Sequence, residues 1–480
     1  MIDPVINLSL ISHTNVGKTT LARTLLRKDI GEVFDQSHVT DLAERHLLIQ
    51  TRDGALLNLW DTPGFGDSFR LWKRLKIADR AVVGFLTQTW DRFTDRPFWC
   101  SQQAILNVRD HADVVLYLAN AAEDPEEASY IAPEMEILDW LGKPIVVLLN
   151  QMGQPKDKAQ EEAELDRWRR HFSSISSNTE VMAFDAFARC WVQEESLWQK
   201  VQDVLPREYR GVMQECLDHG REKNIDRFHR TMNRLGKALT EIINDREPLP
   251  DQNIGEKILS TVSEAHREPQ KQAMARLGER MVRTMTAAVS DIIKYHELSG
   301  DAARIIEERF EDDFAVKQPA DRGIAASVGG FLSGALTGVV ADLTAGGLTF
   351  GGGALVGGLL GATGGVAAAE GFNLIRGKEA SVGWTPKFVS GMIQSTVLRY
   401  LAVAHFGRGR GDWTESEHPI FWKDVVSEVV EPLEPTIAEA MKKADRDQPA
   451  PISEVLSEAA GRTLKCLYPD ACPEAIVPGA

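Results

Sequence analysis

Cysteine is scarce in this 480-residue chain. Five thiols, Cys100, Cys190, Cys216, Cys466 and Cys472, are scattered, odd in number and never in a paired CxxC spacing. That spacing excludes a cysteine-built zinc site and fits a reducing compartment. Basic charge is also in deficit, with 54 Lys and Arg against 70 Asp and Glu and a net charge of −16. A nonspecific grip on nucleic acid needs a cationic face to neutralise phosphates, so nucleic acid is not an expected partner. No basic region precedes the first apolar stretch, which therefore reads as a strand and not a signal peptide; a cytoplasmic location is expected. There is no metal-spaced cluster of histidines and cysteines and no Ser/His/Asp arrangement. The length exceeds one compact core and suggests two or three domains.

What is present begins with Ser12-His13-Thr14-Asn15-Val16-Gly17-Lys18-Thr19-Thr20. The stretch lies between an apolar run, Val5 to Ile11, and a helical segment, Leu21 to Leu26. Strand, loop ending Gly-Lys-Thr, then helix is the setting of a phosphate-binding loop. Backbone N–H groups of the loop and of the helix start converge on one spot, where the helix dipole favours an anion. Lys18 would reach the β- and γ-phosphates and the Thr19 hydroxyl would ligate Mg²⁺. Ser12 stands where the usual first glycine would be and is small enough for the turn.

A polar loop, Asp35 to Asp41, follows the helix and holds Thr40, 22 residues after Lys18. Thr40 is a candidate sensor of γ-phosphate and Mg²⁺; an ordinary loop residue is the other reading. Leu47 to Gln50 and Leu56 to Trp60 flank Arg52-Asp53-Gly54 and predict a hairpin. Its second strand ends in Asp61-Thr62-Pro63-Gly64. A carboxylate there can hold Mg²⁺ through its water shell, and Gly64 can offer its N–H to the γ-phosphate, so that loss of that phosphate releases the following loop. Further apolar runs, Ala112 to Leu118, Pro144 to Leu149 and Glu180 to Phe184, alternate with a helical stretch around Glu134 to Leu138, as in a parallel sheet. The aromatics Trp72, Trp90, Phe93, Phe98 and Trp99 are read as packing.

On NVGKT and DTPG, the segment from about residue 5 to 190 resembles the G domain of the TrmE–Era–septin-like branch of the P-loop GTPases. The order of segments beyond it resembles a bacterial family in which an Era-like G domain precedes a helical domain of unknown function. The implied architecture is an α/β P-loop G domain, a mostly parallel sheet with helices on both faces, followed by a mainly α-helical domain. The resemblance implies GTP and GDP as ligands, Mg²⁺ held through Thr19, Thr40 and Asp61, and charge stabilisation by Lys18 with the Gly64 N–H as a γ-phosphate contact. It also implies, through Asn15, a K⁺ ion beside the phosphates when two G domains meet as a homodimer; the other reading is that Asn15 braces its own loop.

Two positions depart from the GTPase pattern. Where Asn-Lys-x-Asp would select guanine, the chain has Asn150-Gln151-Met152-Gly153, so Asn150 remains and the selecting carboxylate is absent, unless Asp157 substitutes. Ala186 lies where a small residue's N–H would meet the base carbonyl. After Gly64, where Ras-like enzymes place a glutamine, stands Phe65, which cannot orient water, so slow intrinsic hydrolysis is expected.

The remainder reads as helical. Segments 208–244 and 257–297 carry apolar residues at three- and four-residue spacing. Between Ile324 and Ala369 the one ionisable side chain is Asp342, and glycines recur every four residues at 330, 334 and 338 and at 353, 357, 361 and 365. The pattern predicts a close-packed helical hairpin, entering a bilayer or buried in a core. The expected organisation is a GTP-binding domain at 1–204, an amphipathic helical region at 205–322, the glycine-rich hairpin at 323–378 and a C-terminal helical region at 379–480. Three functions are weighed. The first is a GTP-hydrolysing switch acting on a protein or on the inner membrane, the second an RNA- or ribosome-associated GTPase, and the third a nucleotide-binding scaffold with little hydrolysis.

Overall fold

A computed structural model describes residues 4–26, 43–77, 95–152, 158–176, 179–184, 190–248, 268–298, 372–375, 381–405, 421–469 and 471–477. Thr40, Gly153, Asp157, Ala186 and the hairpin at 324–369 lie outside the described residues. The chain divides into two compact units, one made mainly of Met1–Asn224 and the other mainly of Ile225–Ala404 and Thr414–Ala480.

The first unit is built on a six-stranded sheet. Its strands are β1 (Val5–Ser12), β2 (Glu44–Gln50), β3 (Leu56–Asp61), β4 (Val114–Asn120), β5 (Ile145–Asn150) and β6 (Thr179–Ala183), in the order β2-β3-β1-β4-β5-β6. All neighbours are parallel except β2, which pairs antiparallel with β3 across the expected hairpin. The inner strands are apolar throughout because both faces are covered. Successive residues point to opposite faces: Leu116 and Leu118 enter one core with Leu8, Leu10 and Leu148, while Val115 and Tyr117 enter the other with Ile11 and Val147. Helix α1 (Lys18–Leu26) follows β1, and α2 (Ser68–Ile77) and α3 (Arg96–His111) lie between β3 and β4. Helix α4 (Ile131–Leu141) precedes β5, α5 (Lys158–Ile175) precedes β6 and α6 (Trp191–Val204) follows it. Phe98 and Trp99 are buried and Trp72 packs partly against the same core, in keeping with their reading as packing residues.

The second unit is largely helical. The expected helices are present as α7 (Arg210–Asn244), within which the unit boundary falls, and α8 (Glu268–Tyr295). The helices α9 (Pro386–Ala404), α10 (Phe421–Val430), α11 (Glu434–Lys443) and α12 (Ala450–Leu467) pack together. A small antiparallel sheet, β7 (Glu247–Pro248), β8 (Phe372–Ile375) and β9 (Ser381–Trp384) in the order β7-β9-β8, departs from the helical expectation. The segment Phe-Asn-Leu-Ile, inside the stretch assigned to the hairpin at 323–378, is therefore a strand. Arg280 bonds both Asp245 (2.7 Å) and Glu247 (2.6 Å), tying the β7 end to α8. Among the described residues no helix is long and apolar enough to cross a membrane.

The tightest approach in this unit is at Gly461 of α12, where an added Cβ would lie 1.9 Å from the Ile476 carbonyl oxygen. Gly461→Ala is expected to destabilise the unit by about 1–3 kcal/mol, the usual cost of overpacking. Urea unfolding followed by circular dichroism measures it; an unchanged midpoint would contradict this packing.

Candidate functional site

The order of the strands decides where a site can form. The chain leaves β1 towards β3 on one side and β4 on the other, and a crevice opens outside the carboxyl ends of strands at such a reversal. Ser12, Asp61, Asn120 and Asn150 are the last residues of β1, β3, β4 and β5. The loop from His13 to Gly17 emerges among them.

That loop has no regular partner strand, so side chains hold it. Asn15 and Gly17 take left-handed backbone conformations, with φ of 65° and 95°, which asparagine tolerates and glycine favours. Asn150 Nδ2 donates to the Val16 carbonyl at 2.7 Å across the sheet end. A Cβ on Gly17 would lie 2.6 Å from that amide nitrogen, so the glycine is required by space as well as by φ. The Ser12 hydroxyl donates to the His13 carbonyl (2.6 Å), which shows how serine fits the turn. The Leu21 N–H already bonds the Gly17 carbonyl at 3.0 Å, so α1 starts directly on the loop, Thr20 is buried, and its first N–H groups face the crevice without intrahelical acceptors.

The Asp61-Thr62-Pro63-Gly64 segment is fastened to the same strand end. The Thr62 hydroxyl donates to the Leu10 carbonyl (2.6 Å), and the Phe65 N–H donates to the Ser12 carbonyl (2.9 Å). Gly64 is buried beside the backbone of His13 and Thr14. The Phe65 ring is fully buried in the core, so it faces away from the crevice. The Gly66 N–H donates to the Ser101 hydroxyl of α3 at 3.0 Å.

Electrostatics couple the charged members. Burial lowers Lys18 below the usual lysine range, with Asp61, Cys100 and Glu134 pulling the other way. Burial raises Asp61 above the usual carboxylate range, opposed by Lys18, by His46 and by a hydrogen bond from Thr19. Asp61 Oδ1 is buried and has no hydrogen-bond partner. A buried acceptor without a partner is costly, and a cation or its hydration shell would satisfy it. Thr19 and Asp61 therefore fit Mg²⁺, which would supply charge neutralisation for phosphate oxygens.

Thus the structure brings together Ser12 to Thr20, Asp61, Gly64 and Asn150. One residue of this neighbourhood was missed. Glu134 of α4 is fully buried, with Oε1 2.8 Å from His13 Nδ1 and Oε2 accepting from the Tyr117 hydroxyl at 2.7 Å. Its sequence signal is an acid at the spacing of the apolar face formed by Ile131, Met135 and Leu138.

A family model described as "50S ribosome-binding GTPase" matches residues 7–151. A second, described as "Domain of unknown function (DUF3482)", matches 178–455, more than half of the chain. The chain belongs to the DUF3482 family. Its N-terminal region matches the GTPase family model, and the DUF3482 domain follows it. Among solved structures, a point variant of Aquifex aeolicus Era bound to GDP.AlF4- is 18% identical, with a TM-score of 0.31. Era in complex with MgGDPNP and nucleotides 1506–1542 of 16S ribosomal RNA is 16% identical, with a TM-score of 0.32. Each match covers 42% of this chain and 57% of the Era chain. A bacterial selenocysteine-specific elongation factor is 15% identical over 38% of this chain and 25% of its own, with a TM-score of 0.25. No curated protein matches the DUF3482 chain.

Asp61→Asn keeps the shape of the side chain and removes its charge. Affinity for a nucleoside triphosphate in Mg²⁺ is expected to fall to the level the unmodified chain shows in EDTA. Titration of a fluorescent nucleotide with and without EDTA checks this; retained Mg²⁺ dependence would remove Asp61 from the metal site.

Proposed function

We propose that this chain binds GTP and GDP with Mg²⁺ and hydrolyses GTP slowly, as a switch whose nucleotide state is read by a partner of the DUF3482 domain. The observation that carries this reading is the buried, unpartnered Oδ1 of Asp61 beside Thr19 and Lys18, at the start of a helix whose loop Asn150 braces. In this reading Lys18 neutralises charge on the β- and γ-phosphates, and Thr19 and Asp61 hold the ion. Gly64 contributes its N–H to the γ-phosphate. Thr40 would complete the metal shell and Ala186 would meet the base. Burial of Phe65 supports a low intrinsic rate, because no side chain at that position reaches water.

Guanine selection is expected to be weaker than in GTPases that keep the aspartate. A hydrogen bond to a charged group contributes about 1.5–3 kcal/mol, one to two orders of magnitude in affinity. Lys18→Ala is the central test: it is expected to abolish triphosphate binding while the circular dichroism of the fold is unchanged. Binding of GTP, GDP, ATP and XTP to the intact chain, with phosphate release, measures selectivity and turnover together. Unchanged affinity in Lys18→Ala would refute the phosphate-loop assignment, and a chain that binds without releasing phosphate would be a scaffold.

Asn15 is exposed in its left-handed turn, and we assign it to a K⁺ site formed when two G domains meet. Hydrolysis is then faster in K⁺ than in Na⁺, and Asn15→Ala removes the difference; equal rates in the two salts would leave Asn15 as a loop brace. A cytoplasmic chain that reaches the inner membrane through 323–378 is the partner reading drawn from sequence. It requires the full chain to pellet with membranes through a high-salt wash and to leave them in detergent. A ribosome-associated GTPase is the second reading, favoured by the description of the family model over 7–151. It requires RNA binding that weakens steeply with salt, against the net charge of −16.

A further inference from the structure

Among the described residues four large apolar side chains are exposed, and two of them, Phe69 (55%) and Trp140 (48%), stand on the packed helices α2 and α4. The core side of α2 is made by Leu71 and Leu75, so Phe69 is surplus to its packing. Phe69 stacks on Trp72 of the same helix, with ring centroids 5.6 Å apart. Trp72 Nε1 donates to Glu136 of α4 at 2.6 Å, and Trp140 follows four residues later on the same face of that helix. The three rings therefore follow one line across the two helices.

Cations run through this line. Lys73 Nζ lies over the Phe69 ring, 4.6 Å from its centroid, and Lys76 Nζ lies 3.8 Å from that of Trp72. Helix α2 carries Arg70, Lys73, Arg74 and Lys76 and no acid, in a chain whose net charge is −16. The acids at this face come from outside the helix and are paired: Asp67 and Asp95 with Arg70, and Glu136 with Lys76 at 3.0 Å.

We propose that this face rests on the surface of an anionic lipid bilayer, with Phe69, Trp72 and Trp140 among the headgroups and Lys73 and Lys76 against the lipid phosphates. Aromatic rings favour that boundary, and a lysine stem can lie along a ring while its ammonium reaches an anion. A single-stranded nucleic acid is the other polyanion to weigh, and it would use the ring faces for stacking. Here Lys73 and Lys76 already stand over the Phe69 and Trp72 rings. The negative charge of the whole chain does not forbid the contact, because exposed charges more than about 8 Å away are screened at physiological salt. A face that lies on a bilayer needs no spanning helix. The proposal depends neither on the GTPase reading nor on the segment at 323–378.

The test is sedimentation of the full chain with vesicles of phosphatidylcholine, with and without phosphatidylglycerol. The intact chain is expected to sediment with the anionic vesicles, and less so as salt rises. Phe69→Ala with Trp140→Ala is expected to lower the partition coefficient about tenfold or more, because two apolar anchors are removed. Lys73→Glu is expected to weaken binding to anionic vesicles and leave neutral ones unaffected. These side chains lie outside the core and the phosphate site, so circular dichroism and nucleotide affinity should not change. An intact chain that stays in solution, or a double variant that sediments as well as the intact chain, would overturn the proposal. A double variant that sediments more slowly without vesicles would make the face an interface between copies. One that loses binding to single-stranded RNA and not to vesicles would make it a nucleic-acid face. Either result would also overturn the lipid contact.

Discussion

A loop that leaves the end of a buried parallel strand has lost its ladder partners, and here every other feature of the site follows from how that loss is made good. The end of β1 and the loop after it are held from three sides: by the Asn150 amide of β5 on the Val16 carbonyl, by Thr62 and Phe65 on the Leu10 and Ser12 carbonyls, and by Glu134 of α4 on the His13 side chain. Backbone polar groups in such a place must be paired, and side-chain partners do for them what a neighbouring strand would otherwise do. The left-handed turn at Gly17 is part of the same solution, since the space a Cβ would take is occupied by the Asn150 amide. The outcome is a loop fixed at Val16 and Gly17, the arrangement that the proposed phosphate-binding role asks for.

The charges then follow from burial. Asp61 and Glu134 both lie within electrostatic reach of Lys18, and desolvation disfavours the ionised form of each of the three. Asp61 and Glu134 favour the charged form of Lys18 against burial, and Asp61 keeps one oxygen without a partner. An anion beside Lys18 together with a cation beside Asp61 would relieve both penalties at once. A single charge would relieve only one. This is a physical reason for nucleotide and metal to bind as a complex.

Much of this was legible in the sequence because its signals are local. The apolar runs at 5–11, 112–118 and 144–149 stand out since both faces of each strand are covered, and Arg52-Asp53-Gly54 marks the hairpin between β2 and β3. The motif residues also needed no structure, because their spacing from Ser12 to Lys18 and their position at strand ends carry the argument. What was not legible is pairing between distant segments. The sheet β7-β9-β8 joins two residues at Glu247–Pro248 to strands more than a hundred positions later, too short and too far apart to show a pattern. Glu134 was hidden for a related reason. It sits among apolar residues, and its partners His13 and Tyr117 lie on other elements of the chain, so only the fold gathers them.

Phe65 serves the core and not the crevice. Its ring is buried among Leu71, Phe98 and Ile105, and its N–H is bonded to Ser12. A polar side chain there could not occupy the same pocket without leaving a buried group unpaired, which costs about 1–3 kcal/mol. The stretch from Asp61 to Gly66 is thus anchored at Leu10, Ser12 and Ser101 in turn. Beyond it Asp67 leads into α2, its carboxylate accepting from the Arg70 N–H at 3.1 Å, so the anchored stretch runs directly into the start of the helix.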